Sequence, residues 1–233
     1  KPAKSAQGLP CIAYVVAYHA LFAGALVGMH ARTHGVVSLT QALLAIFLTI
    51  NVWICVCELS LLAYPRHIKM EAAAFASRYG AHTLPPVFLF QPVRLEQVFS
   101  LKYWSVMWST YSALDPSYTD TTTFGYCVDV CNGMSTLLPS IVCAIGMTYP
   151  VLSPRVLGML GLVSYYQEFY GTVVYYFQFF FNRRYAKLPT AMTLGIVLPA
   201  NAIWVVMPAL GMWASSRLIR DGTFDVFLSG IKL

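Results

Sequence analysis

Charge is what this 233-residue chain has least of. Asp, Glu, Lys and Arg make up only 10% of it, against about a quarter in soluble globular domains. Acids are the scarcer sign, nine against fifteen Lys and Arg. So little charge, with 58% hydrophobic residues and a mean hydropathy of +0.63, excludes an ordinary soluble domain and implies an integral membrane protein. Clustered positive charge is missing too. The net charge of +6 is spread singly or in pairs, as in Arg183-Arg184, which excludes a nucleic-acid footprint and leaves anionic lipid headgroups as the partners of the basic residues. The six cysteines all fall in apolar segments. Cys127 and Cys131, four apart, lack the second Cys/His half of a zinc site, so all six read as buried free thiols, and neither a metal nor a cofactor is expected. There is no internal repeat and no low-complexity tract.

Long apolar runs are what the chain has in quantity. Five are long enough to cross a bilayer, which takes about 20 residues each: 9–29, 39–64, 122–147, 156–181 and 188–218. The expected fold is all-α and polytopic, with five transmembrane helices and a long extramembrane connection, 66–121, between the second and third. The domain division that follows is 1–38, an N-terminal segment with the first helix; 39–220, a four-helix transmembrane domain carrying the connection; and 221–233, a tail expected on the membrane surface from Ser215 onward. Gly24 and Gly28 form a small-xxx-small pair suited to close helix packing, and His19 reads as a hydrogen-bonded core histidine. Pro65 ends the second run. Pro139 breaks the third. Within the connection, 71–79 reads as a short helix. Leu101, Trp104, Trp108 and Tyr111 recur at helical spacing and suggest an amphipathic helix with its rings at headgroup depth or docked on a partner. The basic, acid-free start KPAKSAQG is what a cleaved targeting sequence would leave, or simply where the chain begins. Lys/Arg placement does not fix the orientation.

Acids inside apolar runs ask for an explanation, because one at membrane depth costs about 2.5–3.5 kcal/mol on insertion scales. Asp129 lies one to two helical turns into the third run, with Asn132 and Gly133 on the same face. Glu58 lies in the second, seven residues from Asn51, so both are near one stripe. It is either a neutral acid bonded to a neighbouring helix or a ligand-facing group. Glu168 lies in the fourth run among tyrosines and phenylalanines, and a carboxylate flanked by rings is how a protein holds an ammonium or a developing carbon cation away from water. In the fifth run, Asn201 and Trp204 are i, i+3 neighbours between Pro199 and Pro208, so an amide that must find partners sits beside an indole.

Three patches resemble one family. Trp108, Tyr111, Asp115 and Tyr118 form W-x-x-Y-x-x-x-D-x-x-Y, followed by the acid of GYCVDV. EFYGTVVYYF runs from Glu168 to Phe177, and NAIWVVMPAL from Asn201 to Leu210. In order and spacing they resemble the emopamil-binding proteins, the sterol delta8-delta7 isomerases, within the wider EXPERA domain family. The resemblance covers about residues 40–215. It implies a sterol-sized cavity among the helices, lined by Asp129, Glu168, Tyr111, Tyr118, Asn201 and Trp204, with Glu58 as a further ligand-facing candidate. It also implies a catalytic His and Glu four residues apart on the second span. Matching W-x-x-V-C to Trp53, Val56 and Cys57 puts Leu61 and Pro65 at those positions, and the other register puts Glu58 and Leu62 there, so the pair is missing on either.

The reading that follows is an emopamil-binding-like membrane protein without isomerase chemistry. It holds a sterol or phospholipid in an intramembrane cavity and serves as an accessory subunit of an organellar membrane complex. The mitochondrial inner membrane is the expected compartment, with the endoplasmic reticulum as the alternative. The rival readings are an active isomerase using Asp129 with Glu58 or Glu168, and a receptor-like binder of cationic amphiphiles.

Overall fold

The structure, a computed structural model, describes residues 8–232. All of the basic start except Gly8 lies outside the described residues. Of the described residues, 78% are helical. A two-residue strand β1 (Leu9–Pro10) leads into α1 (Cys11–His34), then β2 (Val36–Val37), α2 (Leu39–Ala63) and α3 (Pro65–Tyr79). A 3-10 turn at Phe88–Phe90, β3 (Pro92–Val93), α4 (Leu95–Val98), α5 (Leu101–Tyr111) and a second 3-10 turn at Pro116–Thr119 make up the rest of the long connection. After it come α6 (Phe124–Ser135), α7 (Leu137–Gly146), α8 (Pro154–Phe181), the short α9 (Thr190–Met192), α10 (Leu198–Asp221), α11 (Asp225–Leu228) and β4 (Ile231–Lys232).

Three helical stretches are long and apolar enough to cross a membrane: α1, α2 and the run from Thr190 to Asp221. The bent pair α6–α7 makes a fourth if it is counted as one span. The sequence expects a fifth at 156–181. There α8 has 28 residues, about 42 Å at 1.5 Å per residue, so length is not what it lacks. Gln167, Glu168, Gln178 and its tyrosines make it less apolar than the others.

Contacts divide the chain into two units. One comprises the described residues up to Tyr18 together with Val56–Cys131, the other His19–Cys55 with Asn132–Leu233. In the first, β1 pairs antiparallel with β3, Leu9 opposite Val93, and α3 packs on α5. Pro65 both ends α2 and starts α3 at its first position, where its missing N–H is no loss. This helix therefore begins six residues before the expected 71. The rings of the α5 stripe are covered by protein: Trp104 and Trp108 are each 5% exposed. The indole of Trp104 donates to Val98 O at 2.9 Å and that of Trp108 to Cys57 O at 2.7 Å. The amphipathic stripe docks on the chain itself.

In the second unit, α8 lies along α10, and the core gathers Leu44, Phe47, Leu48, Cys143, Leu157 and Tyr165 with Leu218 and Phe227. Glycines allow the close approach. A Cβ on Gly158 would stand 2.7 Å from Ser215 O, and one on Gly211 2.6 Å from the Tyr165 ring. Gly24 and Gly28, by contrast, have nothing within 4 Å among the described residues, so the small-xxx-small pair packs no helix of this chain. The break in the third run falls at Thr136, one turn before Pro139, and bends α6 from α7 by 47°. Pro139 has no N–H to bond Ser135 O, and its ring crowds the turn before it, so the helix restarts ahead of the proline. The last helix continues through a buried Ser215 to Asp221. Beyond it, β4 pairs with β2, and Phe227, 2% exposed, offers its carbonyl to His30 Nε2 at 2.9 Å, so this part of the tail is built into the unit. Four of the six cysteines are buried, but Cys127 and Cys131 are exposed, where burial was expected. They lie on the outer face of α6. His19 meets Trp53 edge-on at 5.7 Å.

The glycine contacts lead to a stability prediction. Gly158→Ala and Gly211→Ala should each cost about 1–3 kcal/mol, read as a fall in thermal midpoint in detergent. Gly24→Ala and Gly28→Ala should leave the midpoint unchanged.

Candidate functional site

The sequence-selected residues fall into two groups, one in each unit. In the second unit they gather around Asn51, which is 2% exposed in an otherwise apolar α2. Its amide nitrogen lies 2.6 Å from Glu168 Oε1, 3.0 Å from Ser140 Oγ and 3.5 Å from Thr136 Oγ1. With two protons to give, Nδ2 serves Glu168 and Ser140 first. Its carbonyl oxygen accepts from the indole of Trp204 at 3.2 Å. The Thr136 hydroxyl donates to Asn132 O at 2.9 Å, so the thiol of Cys55, 3.3 Å away, is the donor in their contact. One asparagine thus ties α2 to α7, α8 and α10.

Glu168, 2% exposed, uses only half of its carboxyl group. Oε1 takes the Asn51 amide, whereas Oε2 is buried with no hydrogen-bond partner among the described residues. The neighbouring Gln167 is fully engaged on its donor side. Its Nε2 donates to Asn132 Oδ1 at 2.9 Å and to Ser135 Oγ at 2.6 Å, which holds α8 against the end of α6. Phe47 lies 6.2 Å from the Trp204 ring and 6.3 Å from Tyr165, so aromatic faces surround this polar centre. Asn201 is brought there less directly. Its amide donates to Val197 O of its own helical turn at 2.8 Å, and the indole expected to serve it serves Asn51 instead.

In the first unit, Tyr118 donates to the carboxylate of Asp129, and Asp115 lies near the same acid. Asp115 is fully buried and accepts from Ser117 N at 3.0 Å, capping the 3-10 turn that carries Tyr118. Tyr118 packs against Trp108 at 4.8 Å and against Tyr111 edge-on at 5.4 Å. Two acids and three rings therefore converge here. Tyr126 adds a tie, its hydroxyl donating to Leu61 O at 2.8 Å. Glu58 is buried on α2 at 5% exposure. Among the described residues no group of three or more His, Cys, Asp or Glu could hold a metal ion.

Sequence reasoning treated Asn51 only as a marker of one helix stripe, yet it is the centre of the second-unit network. The signal available for it was a lone amide in the middle of an apolar run, whose cost requires partners on other helices. Replacing it should be severe. Asn51→Leu leaves the Glu168 carboxyl and the Trp204 indole both unpartnered, at about 1–3 kcal/mol each. The expected result is a large fall in thermal midpoint, with Glu168→Gln, which keeps an oxygen for the Asn51 amide, much milder.

Comparison with protein-family models, with curated proteins and with solved structures gives no match for this chain.

Proposed function

We propose that this is an emopamil-binding-like membrane protein of five spans, α8 being the fifth, that holds a sterol or other hydroxyl-bearing lipid against Glu168. The observation that carries the reading is the unsatisfied Oε2 of a buried carboxyl group among apolar helices. A buried acceptor left unpaired costs about 1–3 kcal/mol, and a lipid hydroxyl is the donor that a bilayer supplies. The rings of Phe47, Trp204 and Tyr165 suit the flat apolar body behind such a hydroxyl. α2 carries no histidine, in keeping with a binding role in which isomerase chemistry is lost and the protein serves as an accessory component of an organellar membrane complex. Photoreactive sterol should label α8 or α10 of the purified chain. Glu168→Gln should reduce that labelling about fivefold, the effect of about 1 kcal/mol, while the thermal midpoint is retained. Labelling that is indifferent to Glu168→Gln would overturn the assignment.

The acid–ring cluster of the first unit favours a second reading, a receptor-like site for a lipophilic amine. Asp115 and Asp129 lie near one another, and Tyr118, bonded to Asp129, packs on Trp108 and Tyr111; acids combined with aromatic rings are what hold a desolvated ammonium. Asp129→Asn should weaken saturable binding of a lipophilic tertiary amine at least about tenfold, a difference of about 1.4 kcal/mol. An unchanged Kd would remove this reading and leave the sterol reading standing.

A further inference from the structure

A third polar site, sharing no residue with either cluster, lies in the first unit on elements that are not candidate spans. Between α3 and the α4–α5 segment is a cleft of about 310 Å³ whose walls carry His67, Glu71, Gln97, Lys102 and Tyr103, with Val106 as its aliphatic contribution. His67 and Glu71 are four residues apart on α3 and so share a face. That spacing is the one the family resemblance calls for on the second span. Here it occurs on a helix too polar to be a span, beside a cleft lined by charged, amide and hydroxyl side chains.

The hydrogen-bond inventory of the cleft is asymmetric. Ser105 Oγ donates to Lys102 O at 2.7 Å, so it has no proton left for His67 Nδ1 at 3.2 Å and must accept from it. The neutral imidazole therefore carries its proton on Nδ1 and keeps its lone pair on Nε2. Glu71 Oε2 is buried with no partner among the described residues. The α3 side thus offers two acceptors. The opposite side offers donors. Gln97 Oε1 is taken by Arg94 N at 3.0 Å, which leaves the amide N–H groups, and Lys102 brings an ammonium. Burial pushes the Tyr103 phenol up, as does its hydrogen bond with Cys11, so it stays neutral. A ligand complementary to these walls carries several N–H donors at one end and an anion at the other.

Position narrows the class. α3 starts two residues after α2 ends, and Glu71 lies six residues further on, about 9 Å along the axis. That distance is an upper limit on its height above the end of α2, and it puts the cleft beside the headgroup layer, roughly 5–8 Å thick on each side of the hydrocarbon core. We infer that the cleft binds a primary-ammonium, phosphate-bearing group, the ammonium donating to Glu71 Oε2 and His67 Nε2 and the phosphate meeting the Lys102 ammonium and the Gln97 amide. A quaternary ammonium has no N–H to give and fits the same space poorly.

The test uses the full chain in detergent micelles, with retained lipid read by native mass spectrometry. Phosphatidylethanolamine should be held at least about tenfold better than phosphatidylcholine of the same chains, a difference of about 1.4 kcal/mol. Glu71→Gln and His67→Phe should each abolish that preference. The thermal midpoint of Glu71→Gln should be no lower than wild type, because the variant removes an unpaired carboxylate. Displacement of the lipid by free phosphoethanolamine would identify a water-borne solute as a possible occupant, and resistance to displacement would identify the lipid. Equal retention of the two lipids, a preference that survives both substitutions, or photoreactive sterol labelling α3 or α5 would each overturn the inference. None of these results bears on labelling at Glu168, so the two assignments fail separately.

Discussion

One amide side chain holds the second unit together. In a bilayer, apolar helices gain nothing from hiding from water, so they associate through close packing and through hydrogen bonds that have no competitor in the lipid. Asn51 supplies the hydrogen-bonding part. By donating to Glu168 and Ser140 and accepting from Trp204, it sets the separation of α2 from α7, α8 and α10 to within the reach of one short side chain. Gly158 and Gly211 supply the packing by letting α8 and α10 approach backbone against side chain. Networks of this kind also polarise their members, so each bond is stronger for the presence of the others.

The break at Thr136 makes the network possible. A straight helix through residues 124–146 would keep Asn132, Thr136 and Ser140 on one continuous line. The 47° turn between α6 and α7 separates the polar groups before the break from those after it, and α8 addresses them with consecutive residues. Gln167 takes Asn132 and Ser135 on the α6 side, while Glu168 shares Asn51 with Ser140 on the α7 side. Successive residues on a helix point about 100° apart, so a bent partner is what allows both to be used at once.

Much of this was legible from the sequence, for a physical reason. Polar residues in apolar runs are costly enough to stand out, so Asp129, Glu168 and Asn201 with its neighbour Trp204 could be selected without any knowledge of what they touch. Their partners could not. Asn51 reaches Glu168 across 117 positions and Trp204 across 153, and no periodicity encodes such a pairing. The α5 stripe shows a different limit. An amphipathic pattern says that one face of a helix leaves water but not whether lipid or protein receives it, and Trp104 and Trp108 went to protein because carbonyls of Val98 and Cys57 were there to take their indole protons. The lower hydropathy of α8 has the same origin in reverse: Gln167, Glu168 and Tyr176, which make it less apolar, are groups that tie it to its neighbours.

The two adjacent side chains on α8 differ in how far the fold explains them. Every donor of the Gln167 amide is spent on α6, and a residue so engaged is explained by the fold. Glu168 has one partner, and that partner needs only an oxygen. A glutamine there would accept from Asn51 equally well and would spare the protein the desolvation of an acid, which is larger than that of an amide. The carboxyl group therefore does something that the network around Asn51 does not require of it. Its second oxygen, buried yet unbonded among the described residues, is the part of the side chain that this network leaves unused.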